Sequence, residues 1–179
     1  GKLYPGYYQP QDRAKRIVTL LAQKNDFTKE AVMKMTYDVT SATVPEISKN
    51  LLKSVHQEVL TASEKQAFAI LENWDGDYLK SAVGPTIYNR FLYAFLKATY
   101  EDELGVGFEL FLNSQLQDQV LPSQINRLNS VWWDNITTQE TIETRADIVH
   151  GSFKNAISFL QNQLGENVEG WTWDRVISV

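Results

Sequence analysis

Residues 71–92 read LENWDGDYLKSAVGPTIYNRFL, an apolar run, then Trp74-Asp75-Gly76-Asp77, then a second apolar run behind Gly84-Pro85. Whether the acidic quartet is a reactive site or a connection decides how the whole chain is understood. A metal loop, a catalytic acid pair and an inter-helix turn all accommodate two carboxylates around a glycine. An EF-hand loop needs oxygen ligands at alternating positions, glycine at the sixth and a bidentate Glu at the twelfth, and this stretch lacks that pattern. As a turn, every residue has a use. Trp74 anchors the end of one helix in the core, Gly76 ends that helix with a positive φ, and Asp75 and Asp77 accept from amides left unpaired at the next helix start.

Outward from the turn, apolar residues recur every three or four positions. Residues 63–74 place Ser63 and Gln66 at capping-box spacing, with Ala67, Phe68, Ile70, Leu71 and Trp74 along one side. Residues 86–105, TIYNRFLYAFLKATYEDELG, are so rich in large apolar side chains that they predict the most buried helix, closing at Gly105. Near the start, Ile17, Val18, Leu20 and Leu21 oppose Asp12, Arg13, Lys15 and Arg16. Thr28 is placed to cap a short helix running through Tyr37, with Glu30 in its first turn. Pro45 opens a helix carrying Ile47, Leu51, Leu52, Val55 and Val59. The longest pattern runs Ile142, Ala146, Val149, Phe153, Ile157, Leu160, Leu164 and stops at Gly165. Strict alternation is absent, so the expected fold is all-α, a bundle-like single domain over residues 1–179 with short turns and no internal repeat.

Composition removes several functions. A net charge of −5 without a Lys/Arg block gives nucleic acid no electrostatic footprint. The absence of cysteine excludes disulfides, thiolate nucleophiles and Cys-type zinc sites. No apolar run approaches the roughly 18 residues of a membrane span. The two histidines, His56 and His150, fall on separate expected helices outside metal spacing and read as ordinary helix residues. A Ser-His-Asp group assembles in space and is not settled by sequence, but no Gly-x-Ser-x-Gly elbow presents a serine. Residue by residue, no catalytic, cofactor-binding or metal-binding position emerges. Trp132 and Trp133 in VWWDN, with Trp171 and Trp173, have two open readings: buried locally, or exposed as a former interface with a missing partner.

Four segments carry a resemblance. GYYQPQDRAKRIVTLL (residues 6–21), FTKEAVMKMTYDVTSATVPEI (27–47), LENWDGDYLKSAVGPTIYNRFLYAFL (71–96) and GWTWDRVIS (170–178) resemble, in this order, four short signatures of the penicillin acylase family β chain. That family, which includes the acyl-homoserine lactone acylases, resembles this chain over almost its whole length. The resemblance implies an N-terminal nucleophile hydrolase of αββα core. In such enzymes a β-chain N-terminal serine attacks an amide carbonyl, its own amino group acts as base, and an asparagine with backbone amides holds the oxyanion. The serine and asparagine positions precede Gly1, so the resemblance places no catalytic residue on this chain. It implies a helical insertion beside the catalytic core, with the α chain and the rest of the β chain as partners. It further implies a periplasmic or secreted parent acting on a β-lactam or homoserine-lactone amide, with calcium bound, where present, by the parent. The chain opens without methionine, and we read it as a piece of something longer. Asp174 stands where the family has glycine and Ile177 where it has histidine, which removes any role tied to that histidine. The alternative is an independent all-α binding or scaffold module.

Overall fold

A computed structural model describes residues 11–23 and 25–177, so residues 6–10 of the first segment and Ser178 of the fourth lie outside it. The described residues are helical, and their only sheet-like pairing is one isolated bridge between Thr40 and Asp77. The all-α expectation holds.

Helices α5 (Gly84–Leu104) and α8 (Arg145–Leu164) pack along each other and form the centre. Ile87, Phe91 and Phe95 of α5 and Val149, Phe153 and Ile157 of α8 are wholly buried. The Phe153 ring meets Phe91 edge-on at 5.4 Å and Phe68 at 6.3 Å, the geometry aromatic quadrupoles favour. Pro85 opens α5, and Gly105 closes it at φ +50°. Thr144 and Asp147 form the capping box of α8, and Gly165 ends it at φ +92°. Helices α3 (Val44–Leu52) and α4 (Ala62–Asn73) lie together, and α4 reaches both central helices.

Several boundaries differ from the sequence expectation. The capping box of α4 is Thr61 with Glu64 rather than Ser63 with Gln66, because the Glu64 carboxylate accepts from the Thr61 amide at 2.7 Å. An ionised acceptor at a positive helix end outcompetes a neutral amide. Helix α4 stops at Asn73, ahead of Gly76, where the buried Trp74 turns the chain and donates from Nε1 to the Asp77 carbonyl at 2.9 Å. Helix α3 tightens into 3-10 turns after Leu52, so Val55 is still buried but Val59 is exposed in a separate 3-10 turn, Gln57–Val59. Ile142 precedes α8 and is exposed. Two short helices had no sequence reading, α6 (Phe108–Leu112) and α7 (Leu116–Gln124). At the start, α1 (Asp12–Leu21) and α2 (Lys29–Thr36, capped by Thr28) lie where expected and neither contains a buried residue, but Leu20 is half-buried with Asp12 and Arg16 while Ile17, Val18 and Leu21 are exposed.

Candidate functional site

The loop behind Trp74 is shaped by backbone approach. Gly76 sits at φ +90°, and a Cβ there would lie 2.5 Å from the Ser41 carbonyl oxygen and 2.8 Å from Pro45 Cγ. Only glycine avoids both the strain and the collision. The Ser41 amide donates to the Gly76 carbonyl at 2.9 Å, beside the Thr40–Asp77 bridge. Asp75 accepts from the Asp77 amide at 3.1 Å and Asp77 from the Leu79 amide at 2.9 Å. The two carboxylates therefore close their own loop and do not cap α5. An aspartate reaches a backbone amide two residues on, and α5 starts well beyond that reach.

Against this loop, α1 and residues 38–43 form a polar clasp. A single oxygen of Asp12, Oδ1, accepts from Ser41 Oγ at 2.9 Å and from the Ala42 amide, the Thr43 amide and Thr43 Oγ1, each at 2.8 Å. Arg16 grips Asp38 in two-pronged fashion, with Nε and Nη2 at 2.9 and 2.7 Å. Arg13 donates to the Asp38 and Met35 carbonyls at 3.1 and 3.0 Å. The Arg16 hydrogen bonds hold the Asp38 carboxyl below its ordinary pKa and, in return, raise that of Arg16.

The last segment closes the other side. The Trp173 amide donates to the Ala82 carbonyl at 2.8 Å and the Asp174 amide to the Lys80 carbonyl at 2.9 Å. The Trp173 ring stacks edge-on against Tyr78, Tyr78 against Trp74, and Trp74 tilts over Tyr88, with centroids 5.4–5.6 Å apart. Trp74 presses so closely on Gly84 that a Cβ there would fall 2.5 Å from the indole. The first segment thus clasps the second, and the second and fourth are both fastened to the third, at Gly76 and at residues 78–82.

Of the two open readings of the tryptophans, local burial holds for Trp133 and Trp171, whereas Trp132 and Trp173 are partly covered. Trp171 and Trp133 are buried and donate to the Gly165 carbonyl at 2.8 Å and the Arg127 carbonyl at 3.1 Å. Trp132 is half-buried against Tyr100, and Trp173 against Tyr78. For Trp133 and Trp171, an indole with its N–H paired and its rings covered leaves no apolar surface to be claimed.

The histidines do come together, contrary to expectation, since His56 leads into the 3-10 turn while His150 lies on α8. The His56 amide donates to His150 Nδ1 at 3.2 Å, and the rings meet at 5.1 Å. Burial, with His56 and Lys154 nearby, lowers the His150 pKa and favours the neutral acceptor. Among the described residues no three His, Asp or Glu side chains gather in a metal-holding group. Sequence reasoning also missed Arg145, buried in α8, which donates to the Ile125 carbonyl at 2.9 Å, to Asn50 Oδ1 at 2.8 Å and to Ser54 Oγ. Its partners are too distant in sequence to leave a local signal. Asp12 and Asp38 lay within two of the quoted segments, but an acid in a first turn and an acid after a helix carry no mark of a clasp.

The family described as penicillin amidase matches residues 2–179. The acyl-homoserine lactone acylase QuiP of Pseudomonas aeruginosa is 23% identical over 193 aligned residues, which include 98% of this chain. The chain spans only 23% of that relative's length.

Proposed function

This chain belongs to the penicillin amidase family, and from that premise we propose that it is a helical domain of a longer acylase that hydrolyses acyl amides. The observation that carries the reading is that the four family-like segments are fastened to one another, the first to the second and the second and fourth to the third. Asp12, Asp38, Asp75 and Asp77 are each engaged by hydrogen-bond donors in that work. In this reading residues 1–179 form one structural domain without a catalytic serine. The nucleophile and its oxyanion partners belong to the remainder of the parent, an N-terminal serine hydrolase, and the acyl amide is of the β-lactam or homoserine-lactone type. The chain supplies no calcium ligand, and any calcium is held by the parent. Its partners are the α chain and the β-chain core, in the periplasm or outside the cell. No helix among the described residues is long and apolar enough to cross a membrane.

The test compares amine release from phenylacetyl and long-chain acyl amides by the 179-residue chain and by the full parent reading frame. Activity in the parent alone is expected. Activity in the short chain would place a nucleophile among these residues and overturn the assignment. Silence in both would favour an all-α binding module.

A further inference from the structure

Helix α1 has two faces with different fates. Asp12 and Arg16 enter the clasp and Leu20 is half-buried beside them. On another side, Ala14, Ile17, Val18 and Leu21 follow the i, i+3, i+4, i+7 spacing that aligns side chains on one helix face. All four are exposed, Val18 to 67%, Leu21 to 48% and Ile17 to 38%. At ten residues α1 is below the ~12–15 needed for even a marginal helix alone in water. The clasp therefore fixes both its helicity and its orientation, and the apolar stripe is displayed by a structure that holds it in place.

We infer that this stripe is the docking surface by which the domain seats on the remainder of its own parent polypeptide, in an apolar groove of that remainder. The inference rests on the proposed reading that the chain is part of a longer acylase. Two observations select this occupant over others. The relative that aligns with 98% of this chain is more than four times as long as the aligned stretch, so in the proposed reading most of the parent lies outside these residues. On α1 the exposed apolar side chains Ile17, Val18 and Leu21 form one continuous row in water. Rows of that kind mark interaction surfaces, whereas single exposed apolar residues do not. The spacing is that of a helix laid into a groove. Arg13, half-exposed, and Lys15, exposed, flank the row, so the groove is expected to carry acidic groups on its rim.

Amide hydrogen exchange on the 179-residue chain and on the full parent, each with and without Val18→Asp, tests the inference. In the unaltered proteins, α1 amides are expected to exchange at least tenfold more slowly in the parent. Val18→Asp should abolish that difference while leaving α5 and α8 protection unchanged, and should move the melting point of the short chain by no more than about 2 °C. Equal α1 exchange in chain and parent would overturn the proposal. So would concentration-dependent dimerisation of the short chain that Val18→Asp disperses, because the occupant would then be a second copy. Acyl-amide hydrolysis by the parent is scored separately. A parent without acylase activity that still protects α1 removes the catalytic reading and keeps the docking surface.

Discussion

Helices α5 and α1 are built on opposite plans. Helix α5 is apolar over much of its circumference and is swallowed by the domain, whereas α1 is sharply two-sided and yet contains no buried residue. A two-sided helix announces how cleanly it can pack, but the pattern does not say whether the partner is present. The contrast also separates two means of attachment. The α5–α8 pair is held by buried apolar surface; α1 is held by hydrogen bonds and by the pairing of Arg13 and Arg16 with Asp38.

The largest effect that separates these means is expected from truncation in the centre. Phe153→Ala, wholly buried between Phe91 and Phe68, should lower stability in denaturant unfolding by about 3–5 kcal/mol. Leu21→Ala, about half exposed, should stay within about 0.5 kcal/mol in the same assay. Comparable losses from the two would erase the distinction between them. Gly76→Val comes next, at about 1–3 kcal/mol, since it forces a branched residue to positive φ and against the Ser41 carbonyl. Unchanged stability there would remove the close approach of loop and clasp.

The regions also differ in how far their sequences betrayed them. Long helices with many covered side chains, such as α8 with its Gly165 stop, were readable from periodicity and end signals alone. Helix α4 was found but its cap was shifted, because Thr61-Glu64 and Ser63-Gln66 both satisfy the same spacing and only the hydrogen bonds choose. Helices α6 and α7 passed unread since five and nine residues, the latter with Pro122 inside, give too few turns to establish a period. The clasp was illegible for a different reason. Asp12 finds its donors at Ser41, Ala42 and Thr43, and a contact across that span of chain leaves no trace in local spacing. The two-histidine contact was hidden in the same way.

Removing the clasp's central acceptor sharpens the comparison further. Asp12→Ala leaves four donors competing for water. Net contributions near 1 kcal/mol for a hydrogen bond, partly replaced by water at this half-buried site, give an expected loss of about 1–2 kcal/mol. The loss should be regional: amides of α1 and α2 should exchange faster while those of α8 do not. Uniform acceleration would mean that the clasp and the core open together.

The smallest effect distinguishes the regions by the sign of their response to acid. Asp38 has its pKa lowered by the Arg16 hydrogen bonds, so it stabilises the folded state above its unfolded pKa, and that contribution is lost as pH falls through the lower folded value. Glu103, near the end of α5, is the reverse. Burial, with Asp102 beside it, pushes its pKa up to about 7, and its Oε2 is enclosed without a hydrogen-bond partner. Folding is most favourable for this group when it is protonated, and stability declines as pH rises from its ordinary value of 4.5 to about 7. Acidification from pH 7 should therefore relieve the end of α5 first and loosen the clasp only below the ordinary carboxylate range. Glu103→Gln mimics the protonated form and should raise the melting point by roughly 1–3 °C at pH 8, with no gain at pH 4. Arg16→Gln should do the opposite, lowering the melting point slightly at pH 7 by a margin that shrinks as acid protonates Asp38. If both variants shift stability equally at every pH, their effects come from packing, and the two charges do not distinguish the regions.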